Sequence, residues 1–322
     1  MHSAAVYWET LCQRFGDGWN RFWYLPSDPY TLGVIRLLTG LVAVFWYATY
    51  TPDLFRFFGK SGLLPIAAVQ ELEGVRASFS YLNFLSTNSE LAMVHWLGLA
   101  VLVLFAVGFA ARVTSVLALV VVLSYIHRGP MLTSQTEPIL SMVIAYLCLG
   151  PSGASWSVDR WLSRRKESAA PLAAATDVRS FAATVSLRLI QVHLAMLVGL
   201  MALSQLMGET WWQGMAVWWL AARTESRMFD LSWLHAHQFL IDFWTHAIVF
   251  FQLTFAVLVW HPLARPLLLP IGALIWASVA VLTGNVPFAL MLIIASLAFV
   301  PGQMLRTCCA GCCRPKDTAR GV

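Results

Sequence analysis

Blocks of about twenty apolar residues alternate along the chain with short polar runs. Such blocks suit helices that cross a membrane, whereas the strands of a membrane barrel would show a weaker alternation with a period of two. The pattern therefore predicts an all-α, polytopic membrane bundle with about eight transmembrane helices. The predicted spans are residues 30–50, 91–111, 113–127, 137–150, 187–207, 239–260, 264–283 and 286–303.

Other segments flank or interrupt these spans. Residues 1–29 are rich in aromatic side chains but too polar to cross a membrane, so they predict an N-terminal interfacial segment with a helix at the membrane surface. Residues 30–303 form the predicted transmembrane domain, which is interrupted by a cytoplasmic loop at 151–186 rich in Ala, Ser and Pro. Residues 304–322 form a predicted Cys-rich cytoplasmic tail.

Composition agrees with a membrane location. Hydrophobic residues make up 59% of the 322 positions and charged residues only 11%, against roughly 45–50% and about 25% in soluble domains. The net charge of +5 predicts no nucleic-acid partner, because the cations lie in the loops between spans. With the N-terminus inside, thirteen Lys and Arg fall in inner segments and six in outer ones, which predicts a multi-pass protein with both termini in the cytoplasm.

Polar side chains gather at the predicted outer ends of several spans. Ionisable groups close to hydrocarbon usually point inward, pair with one another or line a cavity, so these residues predict an outward-facing pocket. Contact with lipid head groups and water is the alternative interpretation. The candidate residues are His127, Arg128, Glu137, Gln205, Glu209, Trp211, Trp212, Asp242 and His246.

Metal binding is a weaker interpretation of the same region. His235 and His237 lie near Asp242 and His246, and imidazole with carboxylate suits zinc or iron, but no recognised ligand spacing is present, so we predict no metal site. The tail cysteines are open to three interpretations: a zinc site, S-acylation or free thiols. They are Cys308, Cys309, Cys312 and Cys313.

The fifth predicted span carries a frame of polar residues that resembles a known family. Arg188, Gln191 and His193 are followed by Gln205 and by Trp211-Trp212-x-Gly214. This segment resembles the vitamin K-dependent γ-carboxylase-like transmembrane family, also called the horizontally transferred transmembrane domain. Further similar segments extend the resemblance over residues 19–302; they are Asp28-Pro29, Arg36, Trp156-Ser157-Val158-Asp159, Arg265-Pro266 and Ala298-Phe299-Val300-Pro301.

The resemblance implies a scaffold whose proton chemistry is lost. In the carboxylase a lysine deprotonates reduced vitamin K, and that lysine corresponds to Gln205 here. An amide can donate and accept hydrogen bonds but cannot act as the base. The family's tyrosine, histidine and carboxylate correspond to Val198, Trp276 and Gln252, and we expect no counterpart of its large lumenal domain. Carboxylase or epoxidase activity is therefore not expected.

These observations lead to one hypothesis and three alternatives. The hypothesis is a non-carboxylating, bacterial-type inner-membrane protein that binds a quinone-like or lipid ligand near Gln205, with no certain cofactor and an unknown protein partner. The first alternative is a membrane enzyme for redox or transfer chemistry on a lipid-soluble substrate, with His127, Glu137, Asp242 or His246 as its catalytic groups. A transporter and a membrane-embedded partner of another protein are the other two. Gln191, His193 and Gln252 are predicted to form hydrogen bonds between helices.

Overall fold

The computed structural model describes residues 2–71, 79–85, 87–167, 179–223 and 228–312, and their regular structure is helical apart from one isolated antiparallel bridge. Short 3-10 segments connect or extend several of the helices. The α-helices are α1 (His2–Tyr24), α2 (Tyr30–Ala48), α3 (Leu54–Phe58), α4 (Ile66–Glu71), α5 (Asn88–Val107), α6 (Ala111–Arg128), α7 (Thr136–Leu149), α8 (Val158–Glu167), α9 (Phe181–Leu206), α10 (Glu209–Trp212), α11 (Ala216–Ala221), α12 (Gln238–Leu258), α13 (Arg265–Thr283), α14 (Val286–Ser296) and α15 (Gly302–Cys312).

Six helices in the described part of the chain are long and apolar enough to cross a membrane: α2, α5, α6, α9, α12 and α13. Two shorter apolar helices, α7 and α14, pack among them. The 14 residues of α7 extend over about 21 Å at the α-helical rise, which is less than the thickness of the hydrocarbon layer. The predicted all-α class is confirmed, and each predicted apolar segment coincides with a helix.

The connection predicted at 151–186 is shorter than expected and contains α8. The fifth predicted span starts at Phe181 rather than at residue 187, because the small and polar residues at its start are buried against the N-terminal segment. Ala183 is fully buried, and the Thr184 hydroxyl donates a hydrogen bond to the Leu25 carbonyl at 2.7 Å. The apolar pattern alone does not reveal these added turns.

The bundle has two ends. Helices α2, α6, α9 and α13 finish at one of them, where Gln205 lies, and begin at the other, where Arg36 lies. We call these the Gln205 end and the Arg36 end. Helices α5, α7, α12 and α14 run in the opposite direction, so neighbouring long helices pack antiparallel.

Close packing of α2 against α5 depends on a small residue. A Cβ added to Gly40 would lie 2.5 Å from the Cα of Ala106, so these two backbones could not approach as closely with a larger residue at position 40. Small residues commonly allow such approach between membrane helices. The contact fixes the register of the first two long helices.

A buried cation organises the Arg36 end. The Arg36 guanidinium is fully buried and donates hydrogen bonds to the carbonyls of Ser152, at 2.6 Å, and Trp156. Gly108 lies against it with a φ of 73°, and a Cβ there would be 2.5 Å from the guanidinium carbon. This contact requires a glycine at the turn between α5 and α6.

The side chain of Asp159 caps the helix that follows the same turn. Its carboxylate accepts hydrogen bonds from the backbone N–H groups of Ala110, at 2.8 Å, and Ala111, at 2.9 Å. An acidic group at the start of a helix satisfies free N–H groups and interacts favourably with the helix dipole. Two segments quoted for the family resemblance, Arg36 and Trp156–Asp159, therefore stabilise one structural unit.

Helix α1 is exposed along most of its described length. Its last turn is held to α9, because the Arg188 guanidinium donates to the Phe22 carbonyl at 3.0 Å and lies 4.3 Å from the Phe22 ring centre. At the other terminus, the backbone of α15 is described to Cys312. The side chains of Cys308, Cys309, Cys312 and Cys313 in the predicted tail lie outside the described residues.

Candidate functional site

A cavity of about 330 Å³ lies at the Gln205 end, among α9, α12, α13 and α14. Ligand pockets in proteins start at about 300 Å³, so this volume suits a ring-sized head group. The residues that line it are Gln135, Met201, Gln205, Trp211, Leu220, Arg223, Ile248, Gln252, Trp276, Val279, Thr283, Asn285 and Phe288. We call this space the Gln205 cavity.

Three buried polar atoms in the walls of the Gln205 cavity have no hydrogen-bond partner among the described residues: Gln205 Oε1, Gln252 Oε1 and Trp276 Nε1. The Gln252 and Trp276 side chains are each only 1% exposed. Buried polar groups are nearly always hydrogen-bonded, and an unsatisfied one costs about 1–3 kcal/mol. Two acceptors and a donor facing one cavity match a ligand that carries a hydroxyl or carbonyl group.

The rest of the cavity wall is largely apolar. Met201, Ile248, Val279 and Phe288 supply aliphatic and aromatic surface. Arg223, which is exposed, is the only cation among the described residues that line the cavity, and none of those residues is acidic or a histidine. The described walls therefore suit an apolar ring with a few polar substituents, and they offer no side chain that could act as a base at neutral pH.

Positions singled out by the family resemblance meet at this cavity. Gln205, Gln252 and Trp276, which the resemblance aligns with a lysine, a carboxylate and a histidine, all line the same space. Val198, which the resemblance aligns with a tyrosine, is fully buried in the main hydrophobic core. Three of these four aligned positions thus share one site, although they lie on three different helices.

The Trp-Trp-x-Gly motif forms the turn that leads from α9 toward α12. Trp211 lines the Gln205 cavity, whereas Trp212 is 65% exposed. Gly214 has a φ of 70°, and a Cβ there would lie 1.9 Å from a carboxylate oxygen of Asp242, so the position requires glycine. The Thr245 hydroxyl donates to the Gly214 carbonyl at 2.9 Å and fixes the turn on α12.

Other predicted site residues lie on the surface of this region. Asp242 and His246 form an exposed pair at 3.0 Å, with side chains 56% and 52% exposed. Glu209 is exposed and accepts a hydrogen bond from Gln213. None of the three lines the Gln205 cavity as the described residues define it, and His235 and His237 are also exposed. Within the described residues, no group of three or more His, Cys, Asp or Glu is placed to hold a metal ion.

Glu137 is buried, and both of its carboxylate oxygens accept hydrogen bonds from neighbouring residues. Its carboxylate accepts hydrogen bonds from the Trp46 indole at 2.9 Å, from the Ser134 backbone N–H at 2.8 Å and from the Ser134 hydroxyl at 2.7 Å. These bonds fix the start of α7, which is a structural role. The Ser134-x-x-Glu137 spacing is a helix-start signature that the sequence already contained.

His127 and Arg128 end α6 on a different side of the bundle. A ring nitrogen of His127 lies 2.8 Å from the Phe79 carbonyl. Arg128 is buried and lines a second pocket. Neither residue lines the Gln205 cavity.

The polar residues near the start of α9 form hydrogen bonds that hold this helix to its neighbours. The Gln191 amide donates to the Ala298 carbonyl at 2.6 Å and accepts from Arg188 at 2.8 Å. A ring nitrogen of His193 lies 2.9 Å from the hydroxyl of Tyr146 on α7. The predicted hydrogen bonds between helices are therefore confirmed for Gln191 and His193, whereas the side-chain oxygen of Gln252 has no partner among the described residues.

Sequence reasoning missed a buried network on the other side of the Gln205 end. We call it the aromatic network: Trp46, Tyr47, His95, Tyr125 and Glu137. The Tyr47 hydroxyl donates to the Tyr125 hydroxyl at 3.1 Å, and Tyr125 lies 2.8 Å from His95 Nδ1. The rings of Tyr47 and His95 stack at 4.6 Å. A lone histidine within an apolar block was the one signal that could have indicated it.

The fold and composition define the class of protein, a multi-pass helical membrane protein. Comparison with protein-family models, curated proteins and solved structures finds no match. The case for a function therefore depends on the geometry of this chain and on the residues of the Gln205 cavity.

Proposed function

We propose that this protein is a non-carboxylating member of the γ-carboxylase-like transmembrane family and binds a quinone-like or lipid ligand in the Gln205 cavity. The observation that carries the proposal is the convergence of Gln205 Oε1, Gln252 Oε1 and Trp276 Nε1, which lack protein partners among the described residues, on one largely apolar space. A ligand with hydroxyl or carbonyl groups on a ring would satisfy these atoms.

The chemistry of the described walls favours binding over proton abstraction. An amide at position 205 does not change charge near neutral pH, and Gln252 and Trp276 likewise provide hydrogen bonds without a proton-accepting group. The membrane-enzyme alternative has less support. Its candidate groups, His127, Glu137, Asp242 and His246, do not line the cavity, and among them the described contacts join only Asp242 to His246.

We further propose eight membrane passes with both termini in the cytoplasm. Helix α6 finishes at the Gln205 end and α9 begins at the Arg36 end, so the short α7 returns the chain across the bundle. Helix α14 does the same after α13. The excess of Lys and Arg in the segments at the Arg36 end favours that end as cytoplasmic, with α1 at the membrane surface and the Gln205 cavity on the outer side.

Titration with a short-chain ubiquinol tests the ligand proposal. The full chain is placed in lipid nanodiscs, and binding of decylubiquinol and decylubiquinone is measured by isothermal titration calorimetry. We expect saturable binding that weakens about tenfold or more in Gln205→Leu and in Gln252→Leu, because each loses one hydrogen bond to the ligand.

Gln238→Leu is the matched control, since Gln238 is exposed at the start of α12 and does not line the cavity. It should bind with wild-type affinity. If both cavity variants bind as well as the control, the cavity is not the binding site. If neither quinone form binds and wild-type protein carries no bound lipid after purification, the proposed function is contradicted.

A further inference from the structure

A second pocket, of about 480 Å³, lies at the Gln205 end between the start of α5, the end of α6 and the preceding loops. It does not share a lining residue with the Gln205 cavity. Its described lining residues are Phe58, Gly59, Lys60, Pro65, Ile66, Leu82, Asn83, Leu85, Thr87, Asn88, Leu91 and Arg128. We call it the Arg128 pocket.

The guanidinium of Arg128 is held in this wall with part of its hydrogen-bonding capacity unused. Arg128 is only 2% exposed, and its Nη2 donates to the Leu64 carbonyl at 2.6 Å. Its guanidinium carbon lies 5.8 Å from the ring centre of Phe58. Nη1 is buried without a partner among the described residues, and Arg128 forms no ion pair with them.

The charged residues described in the lining of the Arg128 pocket are all cations. Lys60 is exposed and adds a second cation to the lining, and no described lining residue is acidic. The side chains of Asn83, Thr87 and Asn88 add neutral hydrogen-bonding groups. A buried, uncompensated arginine is costly near a membrane, and a planar guanidinium matches the oxygens of a phosphate or carboxylate.

We propose that the Arg128 pocket binds a phosphate-type anion, with Arg128 as the central contact and Lys60 at its rim. Free phosphate and a phospholipid head group carry the same chemistry, and either could supply the anion. This site is separate from the Gln205 cavity, so its test does not depend on the proposed quinone-like ligand.

The thermal midpoint of the full chain in phosphate-free detergent micelles provides the test. One series adds increasing inorganic phosphate at constant ionic strength to maltoside micelles, which contain no phosphate, and the other adds phosphatidylglycerol to the same micelles. Wild-type protein should show a saturable rise in midpoint with at least one of the two anions. A rise with phosphate alone identifies a free anion, and a rise with phosphatidylglycerol alone identifies a lipid head group.

Variants distinguish the pocket from general attraction between basic protein and anions. Lys60→Gln, at an exposed side chain, should weaken the response by roughly tenfold in anion concentration, and Arg128→Gln should abolish it. Arg112→Gln is the control, because Arg112 is exposed at the opposite end of the bundle. No rise in wild-type protein, or equal responses in Lys60→Gln and Arg112→Gln, would overturn the proposal, even if Arg128→Gln failed to fold.

Discussion

The Gln205 end contains two sets of buried polar groups that differ in how their hydrogen bonds are satisfied. In the aromatic network, Glu137, Tyr125 and His95 each have partners within the protein at 3.2 Å or closer. In the Gln205 cavity, by contrast, Gln205 and Gln252 each present a buried oxygen without a partner among the described residues. Of these two regions, only the second leaves hydrogen-bonding capacity unused among the described residues.

The difference indicates which polar residues of a membrane bundle serve stability and which serve binding. A satisfied buried group stabilises the fold, and its removal leaves neighbours unpaired at a cost of about 1–3 kcal/mol each. An unsatisfied group costs free energy in the absence of a ligand, and its replacement by an apolar residue removes that cost. Substitutions in the two regions should therefore have opposite effects on stability and on binding.

The largest loss of stability is expected for Glu137→Ala. The substitution leaves the indole of Trp46 and the start of α7 without their acceptor, which should cost about 3 kcal/mol. This loss of stability is measured as a fall in the midpoint of thermal unfolding in detergent. The control is Glu209→Ala at an exposed glutamate, which should behave like wild type. Equal midpoints for the two variants would show that the buried carboxylate does not stabilise the fold.

A somewhat smaller loss is expected for Gly214→Ala. The added Cβ would meet the Asp242 carboxylate in a backbone conformation that favours glycine, at a cost of about 2 kcal/mol. Because Trp211 lies in the same turn, ligand affinity should fall as well. Gly16→Ala provides the comparison, since an added Cβ there meets no atom within 4 Å. A wild-type midpoint for Gly214→Ala would mean that the turn adjusts freely.

Tyr125→Phe should reduce stability by about 1 kcal/mol and leave ligand affinity unchanged. It removes one hydroxyl from the aromatic network and leaves His95 Nδ1 without that partner. Tyr7→Phe, at an exposed tyrosine, is the control for the same chemical change. A marked loss of ligand binding in Tyr125→Phe would link the two regions functionally and weaken the distinction between them.

The smallest effect on stability is expected for Gln252→Leu. The leucine removes a buried amide that has no described partner for its oxygen, so the thermal midpoint of ligand-free protein should stay equal or rise slightly. The same variant should show the clearest loss of ligand affinity. A fall in midpoint as large as that of Glu137→Ala would mean that Gln252 supports the fold rather than a ligand.

Some of these features could be predicted from the sequence and others could not. The apolar blocks predict the helices, because hydrophobicity and length decide which segments can enter a membrane. The cavity depends on which faces of α9, α12 and α13 meet, and a single sequence does not contain that information. Gln205 was nevertheless predicted as a candidate through the family resemblance. The structural role of Glu137 could have been predicted from its spacing to Ser134, whereas its bond to Trp46 joins distant parts of the chain.

The most direct test of the central claim is the lipid content of the purified protein. Wild type and the double variant Gln205→Leu with Gln252→Leu are purified in mild detergent, extracted with organic solvent and compared by quantitative mass spectrometry. The account predicts a near-stoichiometric quinone-like or other hydroxyl- or carbonyl-bearing lipid in wild type and its loss from the double variant. The same lipid content in both proteins, or none in wild type, would contradict the account.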